Sequence, residues 1–338
     1  MPPVPVHHVR RVDPRDDAAF EAWFDVRLRG QQHDEPGTDH GTLTEQRALH
    51  REWLAPDAPV QVVLLAAVEG ARTVGVARLE LPQRDNPHRV DLELRVDLDR
   101  RRRGVGSALL AEAVRVARDR GRTTVFAEVG EPLGAVAGRG FAGRHGAVCG
   151  QVDARRELAL PVDPDRLAAL DTDARAHAAG YTVVTWQDAV PDGWLEDRAL
   201  LEQRMSTDAP LGDLDLREEH WDAARVRRHE QVQHRAGRTV VAAGAVRDGR
   251  LVAFTEIGVL RDRPEVAHQW NTLVLREHRG KRLGMLVKIA GLRALAAHVP
   301  QAERVVTWNA EVNAPMIGVN AALGFVVAGG SSTWSLAV

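Results

Sequence analysis

Apolar and polar positions along the chain predict the same series of secondary-structure elements twice. Alternating β-branched runs predict strands, and apolar residues at spacings of three and four predict helices. In the first half the predicted strands are 4–12, 60–68, 73–81 and 90–98, and the predicted helices are 16–29 and 45–54. In the second half the predicted strands are 181–186, 239–246, 251–260 and 266–275, and the predicted helices are 194–205 and 219–234. Each series continues with a loop, a helix, an apolar strand, a shorter helix and a last β segment.

Matching residue patterns show that the two series form an internal repeat. The stretch VDLDRRRRGVGSALLAEAVRVA in the first half corresponds to VLREHRGKRLGMLVKIAGLRAL in the second, with Gly106 and Gly284 lying 178 positions apart. A chain of 338 residues also exceeds the common domain size of about 100–200 residues. We therefore predict two α/β domains with mixed sheets, at 1–171 and 172–338.

A strand-to-helix turn in the first half carries a cluster of arginines and glycines. The strand pattern ends at Val96, residues 97–103 do not continue it, and helical spacing begins near Ser107. Gly104 and Gly106 therefore precede a helix, whose first backbone amides are unpaired and form the positive end of the helix dipole. Glycines let these amides approach a bulky anion, and pyrophosphate suits the arrangement. The alternative is that the arginines form only a solvated surface at the start of the helix.

Composition limits the possible functional classes. The chain is 44% hydrophobic and 27% charged with a formal net charge of -2, which is typical of a globular protein and gives no general attraction to nucleic acid. One cysteine, Cys149, excludes an intrachain disulfide, and the 14 histidines do not follow metal-ligand spacing. Because neither a run of about 18 apolar residues nor an apolar signal core occurs, we predict a cytoplasmic protein that binds no membrane, metal or nucleic acid.

The arginine-glycine loop carries a family resemblance. Arg101-Arg102-Arg103-Gly104-Val105-Gly106 resembles the R/Q-x-x-G-x-G/A acyl-CoA signature of the GCN5-related N-acetyltransferases, or GNATs. The strand that ends at Val96 and the later turn at Gly140-Phe141 are also similar to that family. In the second half the similar features are Arg279 to Gly284, Asn313 and Leu323-Gly324-Phe325. The chain is thus identified as a tandem GNAT protein over nearly its whole length.

The resemblance implies both a fold and a cosubstrate. Each half is expected to form an α/β (α+β) GNAT domain, with a mixed, mostly antiparallel sheet whose parallel fourth and fifth strands splay apart between flanking helices. Acetyl-CoA is expected in the gap. In the first half the resemblance assigns pantetheine to Leu94, Arg95 and Val96, and pyrophosphate to Arg101, Arg102, Arg103, Gly104, Val105, Gly106 and Ser107. In the second half it assigns acetyl-CoA to Val274, Arg279, Gly284 and Asn313.

The two copies depart from the family pattern in different ways. The second copy has Arg282 where the first has Gly104, which restricts how closely the loop amides can approach a phosphate. The first copy has Gly130 where the second has Asn313, and many family members use asparagine there to reach pantetheine or substrate. Asn313 can equally be the N-cap of the helix that follows it. The phosphate argument favours the first copy as the acetyl-CoA site.

Transfer to an amine requires a base that removes a proton from the ammonium before nitrogen attacks the thioester. Glu93, on the fourth strand, is one candidate. The alternative is that Glu93 belongs to an exposed polar face of the sheet and pairs with a residue on a neighbouring strand. Glu128, after the fifth strand, is the other candidate, acting through water, and its alternative role is a cap or salt bridge. The family's usual acid is a tyrosine. Because Val136 and Asn320 occupy those positions, we expect water to protonate the departing thiolate.

These observations predict an acetyl-CoA-dependent N-acetyltransferase that transfers the acetyl group directly to a primary amine of a small molecule. Two alternatives remain open. The second domain is catalytic and the first structural, or the protein binds acyl-CoA as a sensor without catalysis. The sequence does not identify the acceptor, because acceptor pockets in this fold have no fixed motif. Both a monomer and a homodimer are compatible with it.

Overall fold

The computed structural model describes residues 7–35, 41–55, 58–131 and 137–338, which form two compact units. Unit 1 consists of the described residues within Met1–Val152, Gly212–Leu216 and Gly330–Val338. Unit 2 consists of Asp153–Leu211 and Arg217–Gly329. Each unit therefore combines segments that are distant in the sequence.

Unit 1 contains most elements of the first repeat. Its strands are β1 (His8–Val12), β2 (Val60–Glu69), β3 (Arg72–Pro82), β4 (Arg89–Val96) and β5 (Thr124–Glu131), and its helices are α1 (Asp17–Asp34), α2 (Leu43–Glu52), α3 (Val105–Asp119) and α4 (Ala137–Arg144). Strand β6 (Val148–Ala159) begins in unit 1 and continues in unit 2 from Asp153. The predicted first strand began at residue 4, and residues 4–6 lie outside the described part of the chain.

Unit 2 repeats this order of elements. Its helices are α5 (Pro164–Ala176), α6 (Leu195–Asp208), α7 (Ala223–Arg235), α8 (Leu283–His298) and α9 (Ala314–Leu323), and its strands are β7 (Thr182–Gln187), β8 (Arg238–Arg247), β9 (Arg250–Leu260), β10 (Arg263–Val274) and β11 (Arg304–Ala310). Strand β12 (Val326–Ala337) begins in unit 2, and its residues from Gly330 onward belong to unit 1. Within the described ranges, no helix is both long and apolar enough to span a membrane.

The strand order is equivalent in the two units. In unit 1 it is β1-β2-β3-β4-β5 followed by the C-terminal part of β12, and only β4 and β5 pair in parallel. In unit 2 it is β7-β8-β9-β10-β11 followed by the C-terminal part of β6, and only β10 and β11 pair in parallel. This topology confirms the predicted α/β fold, in which the fourth and fifth strands of a mostly antiparallel sheet are parallel.

The core of unit 1 lies on both faces of its sheet. Leu65 of β2 belongs to the cluster under α3, while its neighbour Leu64 belongs to the cluster under α1. This alternation follows from the period of two along a strand. On the α1 side, the indole of the fully buried Trp23 donates a 3.1 Å hydrogen bond to the Leu65 carbonyl, which satisfies its polar atom in the core.

The pairing of the last strand in each repeat differs from that expected of a simple tandem arrangement. The last strand of the first repeat pairs through Asp153–Ala159 with β11, and the last strand of the second repeat pairs through Gly330–Ala337 with β5. The predicted boundary at residue 171 falls inside α5. Periodicity identifies a strand but not its partner, so the ranges 1–171 and 172–338 stay a prediction from sequence order, and the compact units are discontinuous in the sequence.

One glycine controls how closely α3 packs on the sheet. A Cβ atom at Gly75 of β3 would lie 2.6 Å from Val105 Cγ1 and 3.0 Å from Leu109 Cδ1. We therefore expect Gly75→Ala to lower the free energy of unfolding by about 1–3 kcal/mol through overpacking. The matched control is Gly140→Ala in α4, where a Cβ meets no atom within 4 Å and alanine favours the helix. Urea denaturation measures both, and equal effects would contradict the packing argument.

Candidate active site

A cleft opens in unit 1 where β4 and β5 stop pairing. The two strands are paired in parallel only between Arg89–Leu92 and Thr124–Ala127. Beyond these residues β4 continues alongside β3 to Val96, while β5 continues alongside β12 to Glu131. Because each strand follows a different neighbour, the two separate and leave a cleft of about 610 Å³.

The walls of this cleft are mostly apolar and come from five elements. They include Leu92, Leu94 and Val96 of β4, Leu110 of α3, Val125, Ala127 and Val129 of β5, Phe141 and Ala142 of α4, and Trp334 and Leu336 of β12. Apolar walls with a few polar groups are typical of sites for small molecules and cofactors. Trp334 and Leu336 belong to the distant C-terminal segment, so sequence reasoning missed them.

The end of the cleft at the start of α3 is formed by left-handed backbone. Arg102 and Gly104 have φ values of 64° and 89°, and Gly104 is the N-cap of α3. No side chain within the described ranges caps this helix, so its first-turn amides, including those of Gly106 and Ser107, have no partner within the helix. Gly106 and Ser107 line the cleft. Such amides, together with the helix dipole, form a binding site for an anion.

The arginines of the loop differ in their contacts. Arg101 donates two hydrogen bonds of 2.9 Å to Asp34, and its Nε lies 3.3 Å from the Val96 carbonyl, so Arg101 braces the loop against the end of β4. Arg102 is exposed and lines the cleft, whereas Arg103 is exposed and is not among the lining residues. The structure therefore places Arg102, of these three, where its guanidinium can reach an anion.

Arg95 and Val105, which were also predicted to contact acetyl-CoA, differ in whether their side chains reach the cleft. Arg95 lines the cleft together with Leu94 and Val96, as the resemblance implied. The side chain of Val105, by contrast, is 1% exposed and belongs to the core under α3, so only its backbone can contact a ligand.

Glu93 lies in a buried cluster of charges and not on the cleft wall. Its carboxylate is 3.0 Å from Arg27 Nε, 3.1 Å from the Arg78 guanidinium and 3.6 Å from Arg95 Nε. Burial by itself raises the pKa of this carboxyl, but the three guanidinium groups outweigh burial and hold its pKa at about 2. A carboxylate with so low a pKa is a weak base at neutral pH. The contacts therefore favour cross-strand pairing over the base role predicted for Glu93.

Glu128 is an exposed residue on the cleft wall, and it is paired opposite Thr333 of β12. Two residues further along β5, a Cβ at Gly130 would lie 2.6 Å from Glu35 Cγ. Glu35 accepts a 2.5 Å hydrogen bond from Arg95, which fixes its position. The space that an asparagine would need at position 130 is therefore occupied by Glu35, which explains the glycine there.

Four polar residues on the cleft wall were not predicted: His33, Asp34, Arg144 and His145. Ser107 Oγ lies 3.0 Å from Nε2 of His145, whose ring packs against Phe141 at a centroid distance of 4.6 Å. His145 follows α4, and His33 and Asp34 lie at the end of α1. No motif marks either helix end, so only the folded chain reveals these contacts. The predicted acid position, Val136, lies outside the described residues.

Unit 2 contains an equivalent cleft of about 490 Å³. Here β10 and β11 pair in parallel only between Val266–His268 and Arg304–Val306. In contrast to the cleft of unit 1, the walls carry many polar side chains, among them Gln269, Asn271, Thr272, Lys288, Thr307, Asn309 and Asn313. Asn320, at the other predicted acid position, is fully buried.

The loop before α8 resembles the loop before α3. Arg279 Nε lies 3.1 Å from the Val274 carbonyl, and its terminal nitrogen lies 2.8 Å from Asp208, the same two kinds of contact that Arg101 makes. Arg282, in the place of Gly104, has a left-handed φ of 52°. Among the described residues, those lining this cleft do not include Val274, Arg279 or Gly284.

Asn313 is the N-cap of α9, which is one of the two roles predicted for it, and its role in reaching pantetheine or substrate stays a prediction. Its side chain lines the cleft of unit 2, and it also caps α9 by accepting a 3.3 Å hydrogen bond from the Met316 amide. In unit 1 the predicted acetyl-CoA residues other than Arg103 and Val105 therefore meet on the cleft wall, while in unit 2 only Asn313 does so.

The geometry agrees with comparisons to known proteins. The model of the acetyltransferase (GNAT) family matches residues 22–146 and 201–325. A tandem GNAT protein from the clavulanic acid biosynthesis pathway is 29% identical, with a TM-score of 0.78 and 98% of each chain covered. Curated proteins yield no significant match.

Two more distant structures share the fold alone. A GCN5-related N-acetyltransferase from Sphaerobacter thermophilus is 16% identical with a TM-score of 0.64, covering 98% of this chain and 95% of that one. A putative acetyltransferase from Pyrococcus horikoshii is 13% identical with a TM-score of 0.55, covering 98% and 89%.

The charge cluster around Glu93 predicts a pH-dependent stability. Because its folded pKa of about 2 lies below its ordinary value of 4.5, Glu93 stabilises the fold above pH 4.5, and this contribution disappears as the pH falls toward 2. At pH 7 we expect Glu93→Gln to lower the free energy of unfolding by about 3–5 kcal/mol, because it leaves buried guanidinium groups with one partner fewer.

Urea denaturation from pH 7 to pH 3 tests this prediction. The difference between the wild-type protein and Glu93→Gln should shrink below pH 4.5. Glu21→Gln, at an exposed position of α1, is the control and should change stability by less than about 0.5 kcal/mol. A difference that is independent of pH would show that Glu93 is not held ionised by the arginines.

Proposed function

The chain belongs to the GNAT family of acetyltransferases, and from this premise we propose that it transfers the acetyl group of acetyl-CoA directly to a primary amine of a small molecule. The proposed site is the cleft of unit 1. The observation that carries the proposal is the continuity of an apolar channel with the left-handed backbone at Gly104 and the open amides of α3. The chain is an N-acetyltransferase by family, so the cosubstrate, acceptor class and site are what remains to be tested.

The cleft suits the three chemical parts of acetyl-CoA. The pyrophosphate is assigned to the amides at the start of α3, with Arg102 beside them. The pantetheine arm is assigned to the apolar walls and to the edge of β4 at Leu94 and Val96, where the strand has no β5 partner. The unpaired backbone groups at such an edge can form hydrogen bonds with the amides of a ligand, as they would with a neighbouring strand.

Glu128 is the proposed base. In this proposal it takes a proton from the acceptor ammonium, directly or through one water, and the free amine attacks the thioester carbonyl. The carbon–sulfur bond then breaks, the nitrogen releases its second proton to water, and the thiolate, whose free pKa is near 8.5, takes a proton from water. Glu93 is assigned a positioning role, because its contact with Arg95 orders a residue of the cleft wall.

The cleft of unit 2 is the less favoured site for the same reaction. Its loop has an arginine side chain at the left-handed position, and Gly284 is not on its wall within the described residues. These differences favour unit 1 as the acetyl-CoA site over the alternative in which unit 2 is catalytic.

We expect a negative charge at the start of α3 to weaken acetyl-CoA binding to unit 1. Isothermal titration of acetyl-CoA should show affinity weakened by about 100-fold in Gly104→Asp, because a carboxylate repels the pyrophosphate. Gly104→Asn is the matched control, since it has the same shape and backbone requirement without the charge, and it should bind within a few-fold of the wild type.

The same titration on Gly284→Asp and Gly284→Asn reports on unit 2. Retention of the main binding event in both supports unit 1. If Gly284→Asp alone lost the main binding event, the site would belong to unit 2. If neither the wild type nor any variant bound acetyl-CoA, the proposal as a whole would fail.

We expect Glu128→Gln to lower kcat by about 100-fold or more, because an amide accepts no proton from the ammonium. The assay follows release of the CoA thiol with a panel of small primary amines. The affinity for acetyl-CoA should stay unchanged, which titration checks, and Glu21→Gln serves as control. If kcat were unchanged and only KM rose, Glu128 would bind the acceptor and not act as the base.

A further inference from the structure

The chain contains only two lysines, and one of them is buried. Of its 45 lysines and arginines, the lysines are Lys281 and Lys288. Lys281 is exposed, whereas Lys288 is only 1% exposed. A chain that uses arginine for nearly every positive charge thus has lysine at an interior position. The chemical difference is that lysine can lose its proton when buried, while arginine cannot.

Lys288 lines the cleft of unit 2 from α8. Its counterpart in the first repeat, 178 positions earlier, is Leu110, which lines the apolar cleft of unit 1. Lys288 Nζ donates a 2.9 Å hydrogen bond to Asn320 Oδ1, and Asn320 in turn donates a 2.6 Å hydrogen bond to Asn309, also on the cleft wall. The second cleft therefore has an amine and a chain of amides where the first has hydrocarbon.

The carboxylates near this cleft are engaged elsewhere. Glu202 and Glu256, which line it, each lie 2.7 Å from the buried guanidinium of Arg198. Among the described residues, no carboxylate forms an ion pair with Lys288. Burial without a counter-charge lowers the pKa of Lys288 to about 7, so a large fraction of this lysine is the neutral amine at neutral pH. A desolvated neutral lysine is a nucleophile.

We propose that Lys288 is an internal acyl acceptor, which takes the acyl group of an acyl thioester that enters the cleft of unit 2. This inference rests on the acyl-CoA chemistry of the proposed function, though not on the assignment of unit 1 as the catalytic site. The lone pair of Nζ attacks the thioester carbonyl, a carbon–nitrogen bond forms and the carbon–sulfur bond breaks. The thiolate leaves with the electron pair of that bond and receives the proton that Nζ loses.

The product suits its surroundings better than the lysine does. An acylated Nζ is a neutral amide, so the cost of a buried charge disappears. Its remaining N–H can still donate to Asn320 Oδ1, and its new carbonyl lies in a cleft lined by Asn271, whose amide donates one N–H to Glu202 and has a second one. Because the acyl group would occupy part of the cleft, one acyl group per chain is expected.

The test is incubation of the full chain with acetyl-CoA at neutral pH, followed by mass spectrometry of the intact protein and of its peptides. We expect one added acetyl group, on Lys288, formed at least about tenfold faster than on Lys281, since the cleft holds the thioester beside the amine. Lys281 is an internal control within the same molecule. Lys288→Leu, which installs the residue of the first repeat, and Lys288→Arg should both remove the modification.

A variant of the first unit separates this inference from the proposed function. Gly104→Asp should still acquire the acetyl group on Lys288 although its acetyl-CoA binding in unit 1 is weakened. Modification of Lys281 at the same rate as Lys288, or amine turnover with Lys288 unmodified, would overturn the inference alone. Absence of acetyl-CoA binding, turnover and modification together would overturn the inference and the proposed function.

Discussion

The separation of the fourth and fifth strands is the constraint on which the rest of each unit depends. In unit 1, β4 remains paired with β3 and β5 with the C-terminal segment of β12, so their mutual pairing ends after Leu92. The opened edge exposes backbone groups that require partners, and it lies directly before the unpaired amides of α3. Two sets of unsatisfied backbone groups are thus joined by apolar walls. Because residues 330–337 hold β5 in place, this cleft depends on the far end of the chain.

Ion pairs hold this arrangement and neutralise half of the positive charge that the sequence concentrates near it. Arg100 pairs with Glu69 at 2.9 Å, and Arg101 pairs with Asp34, so half of the run of four arginines is matched by carboxylates from other elements. The local balance agrees with the formal net charge of -2. Arg101 also contacts the end of β4, and Arg279 contacts the end of β10 in the same way. The first arginine of each signature, Arg101 or Arg279, therefore stabilises the fold. The signature has this structural role in addition to the ligand binding that is proposed for it.

The repeat and the loop could be predicted from the sequence, because each depends on local periodicity or on a short motif, and the parallel strand pair was implied by the family resemblance. The partner of the last strand in each repeat could not, since β6 and β12 satisfy the same alternation with any neighbour. The interpretation of Glu93 had the same weakness. Its cross-strand partner Arg78 follows from register, but Arg27 comes from a helix, and three guanidinium groups around one carboxylate decide its pKa. Long-range contacts of this kind leave no periodic signal.

The two repeats differ at two positions that face the cleft of unit 1, and the direction of the difference is consistent. Glycine at 104 and leucine at 110 correspond to Arg282 and Lys288, and both changes add a polar group to the second unit. Buried polar groups cost free energy unless they are hydrogen-bonded, and the cost is largest for an amine without a counter-charge. The first repeat shows that an apolar residue, leucine, is compatible with this fold at the equivalent position. A cleft that served only as a packing surface would therefore not need a lysine there. The buried amine is therefore the feature that distinguishes the second cleft chemically from the first.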